Sequence, residues 1–205
     1  MSVTLSPPLN TTEQVTQEHH WTVEEFYHAY EAGELGYSKN WELMQGRLIE
    51  KMPPGFYHAA LADIIAQMLR DAMQPPYIVR EEKPVQLSAD TQLIPDITVA
   101  RGARADYLNH HPAPEEVVVL VEVADTTVVK DLGEKALQYA QVDIADYWVV
   151  LVNESVIVRH RQPSPEGYGE VTRLADADRI SPLALPEAAW AINELLGRTE
   201  AAEEN

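Results

Sequence analysis

The chain has 205 residues, 45% of them hydrophobic, which suits one globular domain with a real core. It has no cysteine, which excludes disulfides, thiolate catalysis and cysteine-bound zinc, and its net charge of −18 argues against a broad basic surface that wraps nucleic acid. No apolar run is long enough to span a membrane, and residues 1–20 lack the basic-then-apolar pattern of a secretory signal, so the composition favours the cytoplasm.

Residues 1–19 carry Pro, Ser, Thr, Gln and Glu without apolar periodicity and are expected to form a flexible lead-in. Thr22, with Glu25 three residues on, reads as a capping box that opens a helix, and Gly33 reads as its stop. Residues 41–44 and 47–50 flank Gln45-Gly46 as a β-hairpin. Pro53-Pro54-Gly55 ends that strand. His58, Leu61, Ala62, Ile65, Met68, Leu69 and Ala72 then recur at helical spacing, and Pro75-Pro76 closes the helix. Residues 78–87 and 93–100 read as two strands joined by a bend near Ser88. A loop rich in Asn, His and Pro covers 109–114, and 117–123 reads as a strand buried on both faces. A helix is expected over 131–142, a second hairpin over 146–152 and 155–161, a strand over 168–174 and a closing helix over 186–196. The tail, 198–205, is acidic and expected to be disordered. Strands and helices mix without strict alternation, which predicts one α/β domain of mixed α+β character over 20–197.

Two carboxylates interrupt patterns that otherwise belong to a core. In the 117–123 strand, alternation puts Val118, Leu120 and Glu122 on one face. An unpaired buried carboxylate costs roughly several kcal/mol or gives up its charge, so Glu122 needs a buried cation or a metal. Asp96 follows Pro95 at the start of a strand, as a turn carboxylate or a ligand. Lys135 borders the apolar stripe of Leu132, Ala136, Tyr139 and Ala140, one turn after Asp131 and one turn before Tyr139. By itself it reads as a solvated partner of Asp131. His58 lies on the apolar face of its helix, as a satisfied core histidine or a ligand, and Glu42 reads as a surface strand charge or a ligand. Together the two carboxylates and the lysine point to a metal-dependent hydrolytic site.

The order Pro95-Asp96, then Glu122 at the end of an apolar strand, resembles the PD-(D/E)XK nuclease superfamily. More specifically, the hairpin from Trp41 to Leu48, His58 after a proline-rich turn, Leu120-Val121-Glu122-Val123, the segment from Asp131 to Ala140, and Asp146-Tyr147-Trp148-Val149-Val150 resemble a family of restriction-endonuclease-like bacterial proteins, the Uma type. The chain departs from the superfamily at Ala124, where its lysine would stand, and Lys135 takes that part as it does in the resembling family. The resemblance implies a central mixed β-sheet flanked by helices and a Mg²⁺- or Mn²⁺-dependent endonuclease acting on DNA. Asp96, Glu122 and the backbone carbonyl of Val123 would hold the metal, with Glu42 as a further candidate. Lys135 would be catalytic, and His58, Asp131 and Tyr139 would support.

Three other readings compete. The chain is a catalytically silent nuclease-fold module that binds DNA or protein; it hydrolyses a small nucleotide or phosphodiester, which the acidic balance suits; or Glu122 and Lys135 form a buried ion pair without catalysis. A homodimer is expected, with residues 110–114 and the closing helix around Trp190 as its face.

Overall fold

The computed structural model describes residues 19–36 and 40–198; most of the lead-in and of the acidic tail lies outside these. Thr22 caps helix α1 (Val23–Glu31): its hydroxyl accepts from the Glu25 amide, and the Glu25 carboxylate accepts from the Thr22 amide, so two orphan donors are satisfied at once. Gly33, in the left-handed region, follows the C-cap. Strands β1 (Asn40–Met44) and β2 (Arg47–Lys51) form the expected hairpin. Gln45 and Gly46 both have positive φ, as a tight two-residue turn requires. Gly46 is doubly constrained, because a side chain there would run into the ring of His20.

Helix α2 (Phe56–Ala72) starts after Gly55 and buries Leu61, Ile65, Ala66 and Leu69. The two long strands expected over 78–87 and 93–100 are each broken. They appear as β3 (Tyr77–Glu81), β4 (Val85–Gln86), β5 (Gln92–Leu93) and β6 (Ile97–Arg101). Glu82 has positive φ, and Pro84 and Pro95 have no amide to donate to a ladder, so the chain changes sheets at both places. Strand β7 (Val117–Ala124) is buried at every residue.

The 131–142 helix starts earlier than its pattern suggested. A short turn α3 (Val128–Lys130) leads into a π-helical segment, Asp131–Lys135, and then α4 (Ala136–Gln141). Strands β8 (Asp146–Leu151), β9 (Val156–Ser164) and β10 (Gly167–Ala175) follow as a meander. The closing helix over 186–196 is a correction. Residues 190–191 form strand β12 (Trp190–Ala191), paired with β11 (Arg179–Ile180), and only Ile192–Leu195 is helical, as α5. Trp190 is therefore not on a helix face; it is half-buried against the main core.

The main sheet has the order β10-β9-β8-β7-β6-β3, antiparallel except for the central β7–β8 pair, and a smaller sheet has the order β2-β1-β5-β4. One face of β7 offers Val119, Val121 and Val123 to α2 and α5. The other offers Leu120 and Ala124 to Tyr139, Tyr147 and the small sheet's Met44 and Leu93. Val118 departs from the face expected for it. The β6–β7 register slips between Val99 and Ala100, and Val118 joins the α2 side. This mixed sheet flanked by helices is the architecture expected. Among the described residues no helix is long and apolar enough to cross a membrane.

Buried Asp146 ties the C-terminal segment to the sheet. Its carboxylate takes two bonds from Arg161 (2.9 and 3.2 Å), one from the Trp148 indole (2.9 Å) and one from the Leu183 amide (2.7 Å).

Candidate active site

At the seam between the two sheets lies a cleft of about 380 Å³, lined by Glu42, Lys51, His58, Asp96, Glu122 and Lys135 among others. A larger cavity of about 560 Å³ between α4 and strands β9–β10 has walls such as Leu132, Ala136 and Tyr168 and no converging carboxylates. The chemistry is concentrated in the smaller one.

Each side chain of the cleft is placed by a local device. The Ile94-Pro95-Asp96 link between β5 and β6 is pinned on both sides: the Ile94 amide donates to Glu42 Oε1 (3.1 Å), and its carbonyl accepts from Lys51 Nζ (2.9 Å). Asp96 then points inward. Its Oδ1 accepts from Lys51 (2.8 Å), its Oδ2 accepts from the Val123 amide (2.7 Å), and His58 Nε2 stands 3.2 Å from Oδ2. Asp96 is thus fastened to the strand that carries Glu122. His58 reaches it because α2 begins beside the cleft, at Gly55, with no side-chain cap and no acid in its first turn.

Glu122 lies on the β7 face turned toward α3 and α4. Its Oε1 accepts from Lys135 Nζ (2.8 Å) and from the Tyr139 hydroxyl (3.0 Å). Lys135 also stands 2.9 Å from Glu42 Oε1 and 3.8 Å from Asp131. Lys130 donates to Glu42 Oε2 (2.6 Å). Residues five apart on an α-helix lie about 140° apart, on different faces. The wider π turn between Lys130 and Lys135 brings both lysines onto Glu42. The Tyr147 hydroxyl donates to the Asp131 carbonyl within that turn (2.9 Å), and Thr127 donates to the Asp131 carboxylate.

All the residues singled out from the sequence therefore meet in one place, but two have a different character from that expected. Glu42 is fully buried rather than a surface strand charge, and Lys135 is 3% exposed rather than solvated. Sequence reasoning missed Lys51, Lys130 and Thr127. A signal for Lys51 existed: Glu42 pairs with Ile49 across the hairpin, so Ile49 and Lys51 share the face of Glu42. Lys130 had none, because an α-helical reading points it elsewhere.

Burial penalises every charge here, and the partners decide which carboxylates keep theirs. Against burial, Lys135 and Lys130 hold Glu42 down at about 2. Burial also opposes the Asp96 charge, but the His58 hydrogen bond and the Lys51 charge outweigh it and keep the carboxyl well below the usual range. Glu122 goes the other way. Burial, only partly offset by Lys135 and reinforced by Asp96 and Asp131, pushes it up to about 7. Asp131 is raised by burial too. The Asp96 hydrogen bond raises His58 despite its burial. For Lys135, burial is outweighed by Glu122, Glu42 and Asp131, which keep it charged. Lys135 is shared between Glu122 and Glu42, and Glu42 alone of the two has a second lysine, Lys130.

The donor set suits a hard cation. Asp96 and Glu122 offer only oxygen, and Mg²⁺ is commonly held by one or two carboxylates, with water and substrate phosphate completing the shell. Among the described residues no three His, Cys, Asp or Glu side chains converge as a ready metal cage. The pair matches the two-carboxylate type, and Val123 lines the same cleft.

The pattern of the Uma2 family, described as “Putative restriction endonuclease”, matches residues 23–193. The fold is shared with a solved structure from Anabaena variabilis described as a “putative nuclease belonging to DUF820”. The TM-score is 0.66 at 16% identity, over 87% of this chain and 98% of that one. No curated protein matches the sequence.

Proposed function

The chain belongs to the Uma2 family, and from that premise we propose that the cleft hydrolyses phosphodiester bonds of DNA with the help of Mg²⁺ or Mn²⁺. The observation that carries this reading is the surplus of charge in the cleft. A structural ion pair would be complete with Glu122 and Lys135. Here the buried carboxylates Glu42, Asp96, Glu122 and Asp131 meet Lys51, Lys130, Lys135 and His58 around an opening to solvent. Burying so many charges costs stability and has no packing rationale.

Asp96 and Glu122 would hold the ion, with Val123 contributing its carbonyl; when bound, the ion supplies Lewis-acid polarisation of the phosphate and acidifies a water. In the reaction, the water oxygen bonds to phosphorus, the water gives up a proton to solvent, and the bond from phosphorus to one sugar oxygen breaks. The departing alkoxide takes up a proton, for which His58, whose protonated form the hydrogen bond to Asp96 favours, is a donor lining the cleft. Lys51 is the lysine that meets the phosphate. Its side chain is 17% exposed and already bonded to Asp96, whereas that of Lys135 is 4% exposed and bonded only to carboxylates. Lys135 is a positioning residue that fixes Glu122 and Glu42. Lys51 faces the negative charge that builds on the phosphate, an interaction that strengthens as that charge develops.

The test is cleavage of plasmid and single-stranded DNA with Mn²⁺ by the wild type and by Asp96→Asn. Cleavage by the wild type that is lost in the variant is expected. No cleavage by the wild type, or equal cleavage by both, overturns the reading.

A further inference from the structure

The buried carboxylates of the cleft are not equally open to an ion. Glu122 Oε1 accepts from Lys135 and Tyr139, but among the described residues no donor reaches its Oε2, which is not sealed off and belongs to a residue lining the cleft. Glu42 differs at both oxygens. Its Oε1 accepts from the Ile94 amide (3.1 Å) and has Lys135 at 2.9 Å, and its Oε2 accepts from Lys130 (2.6 Å). A carboxylate oxygen has two lone pairs, so Oε1 is filled and the approach to Oε2 is taken by an ammonium.

The two lysines of Glu42 are not alike. Lys135 is closed in between Glu42 and Glu122, whereas Lys130 keeps 26% of its side chain exposed and lines the cleft, so the place of its ammonium is within reach of solvent. That place is not where helical spacing would put it. The π turn, a geometry that recurs at functional sites, aims Lys130 at Glu42. Asp131 lines the same cleft and stands 3.8 Å from Lys135. Carboxylate oxygens beside solvent are what a hard divalent cation asks for, and the cation at Glu42 Oε2 is that of a side chain. Glu42 and Glu122 share Lys135, so the Lys130 place is the immediate neighbour of the Asp96 and Glu122 pair. In two-ion phosphodiesterases the ions stand roughly 3.5–4 Å apart and together clamp the attacking and leaving oxygens.

We infer that the Lys130 ammonium stands in the place of a divalent cation at Glu42, and that Glu42 is the positioning residue that holds it there and not an ion ligand. This rests on the metal reading of the cleft and deepens it: an ion at Asp96 and Glu122 has a fixed ammonium as its companion instead of a second ion. Different residues make the two places, so they fail separately.

The experiment counts bound Mn²⁺ from the loss of the free-ion electron paramagnetic resonance signal, with the full chain at about 0.15 M salt. Weak binding to the acidic surface is common to all the proteins, so the differences between them carry the answer. The proteins are the wild type, Lys130→Ala, Lys130→Arg, Glu42→Gln and Lys130→Ala/Glu42→Gln, and cooperative urea unfolding checks the fold of each. Lys130→Ala is expected to bind one more ion per chain than the wild type. Lys130→Arg, which keeps the charge, should match the wild type, and the double variant should fall back to the wild-type count. No gain in Lys130→Ala, an equal gain in Lys130→Arg, or a gain that survives Glu42→Gln overturns the inference. So does a second ion in the wild type that Glu42→Gln removes. If the wild type binds no ion and Lys130→Ala gains one that depends on Glu42, the metal reading of Asp96 and Glu122 fails alone. If the wild type binds an ion that Asp96→Asn removes and Lys130→Ala gains none, the Lys130 assignment fails alone.

Discussion

Replacing Glu122 by glutamine leaves an oxygen for Lys135 and Tyr139 and removes the charge. Glu122 titrates near 7 in the fold against an ordinary 4.5, mainly because burial disfavours its ionised form. Between those values the folded chain keeps a proton that the unfolded chain has released. The unfolded state binds fewer protons, so stability falls as pH rises from about 4.5 and levels off above about 7. At about 1.4 kcal/mol per unit, the loss is on the order of 3 kcal/mol. Asp131, also raised, adds to the fall. His58, raised above 6.5, adds stability that is full below 6.5 and is lost as pH climbs through its folded value. Glu42 and Asp96 are depressed, so they act in the opposite sense and at lower pH, their stabilisation being lost as pH falls below their ordinary values of 4.5 and 3.8. Comparing Glu122→Gln with the wild type isolates the one carboxyl. Urea unfolding in chelator at a series of pH values is the assay. The variant should gain on the wild type from near zero at about pH 4 to on the order of 3 kcal/mol at about pH 8. Parallel curves for the two proteins would refute the assignment of a proton to Glu122.

Lys135→Met should cost about 3–5 kcal/mol, because it strands Glu122 and leaves Glu42 with one lysine, and Lys135→Met/Glu122→Leu should recover much of that loss in the same urea assay. Thr22→Ala removes the reciprocal cap of α1 and should cost about 1 kcal/mol by equilibrium unfolding. Asp146→Asn leaves Arg161 without its charged partner and should cost about 3–5 kcal/mol, read as a lower urea midpoint with an unchanged slope.

Local signals carried much of the fold. The hairpin around Gln45-Gly46, the Thr22 box and the apolar run of β7 depend on neighbours in sequence, and each formed where its residues asked for it. The segments that went astray are those whose outcome is decided at a distance. Residues 190–191 are extended rather than helical because β12 has a partner in β11, and 186–189 are turn and irregular chain. Val118 changed sides because the β6–β7 register slips. The site divides in the same way. Asp96 and Glu122 stood out because a carboxylate beside a core pattern is costly, whereas Lys51 needed the hairpin register and Lys130 needed a π turn that helical spacing does not announce. That Glu42, Asp96 and Lys135 are all buried together followed from packing two sheets against one helix, which no single segment encodes.

A calorimetric titration of Mn²⁺ into the chain at about pH 8 goes to the centre of the account, since both carboxylates must give up their protons to hold an ion. Saturable binding in the wild type is predicted, weaker at about pH 6 where Glu122 keeps its proton, and lost in Asp96→Asn and Glu122→Gln. Binding that survives both substitutions, or none in the wild type, would contradict a metal site at Asp96 and Glu122.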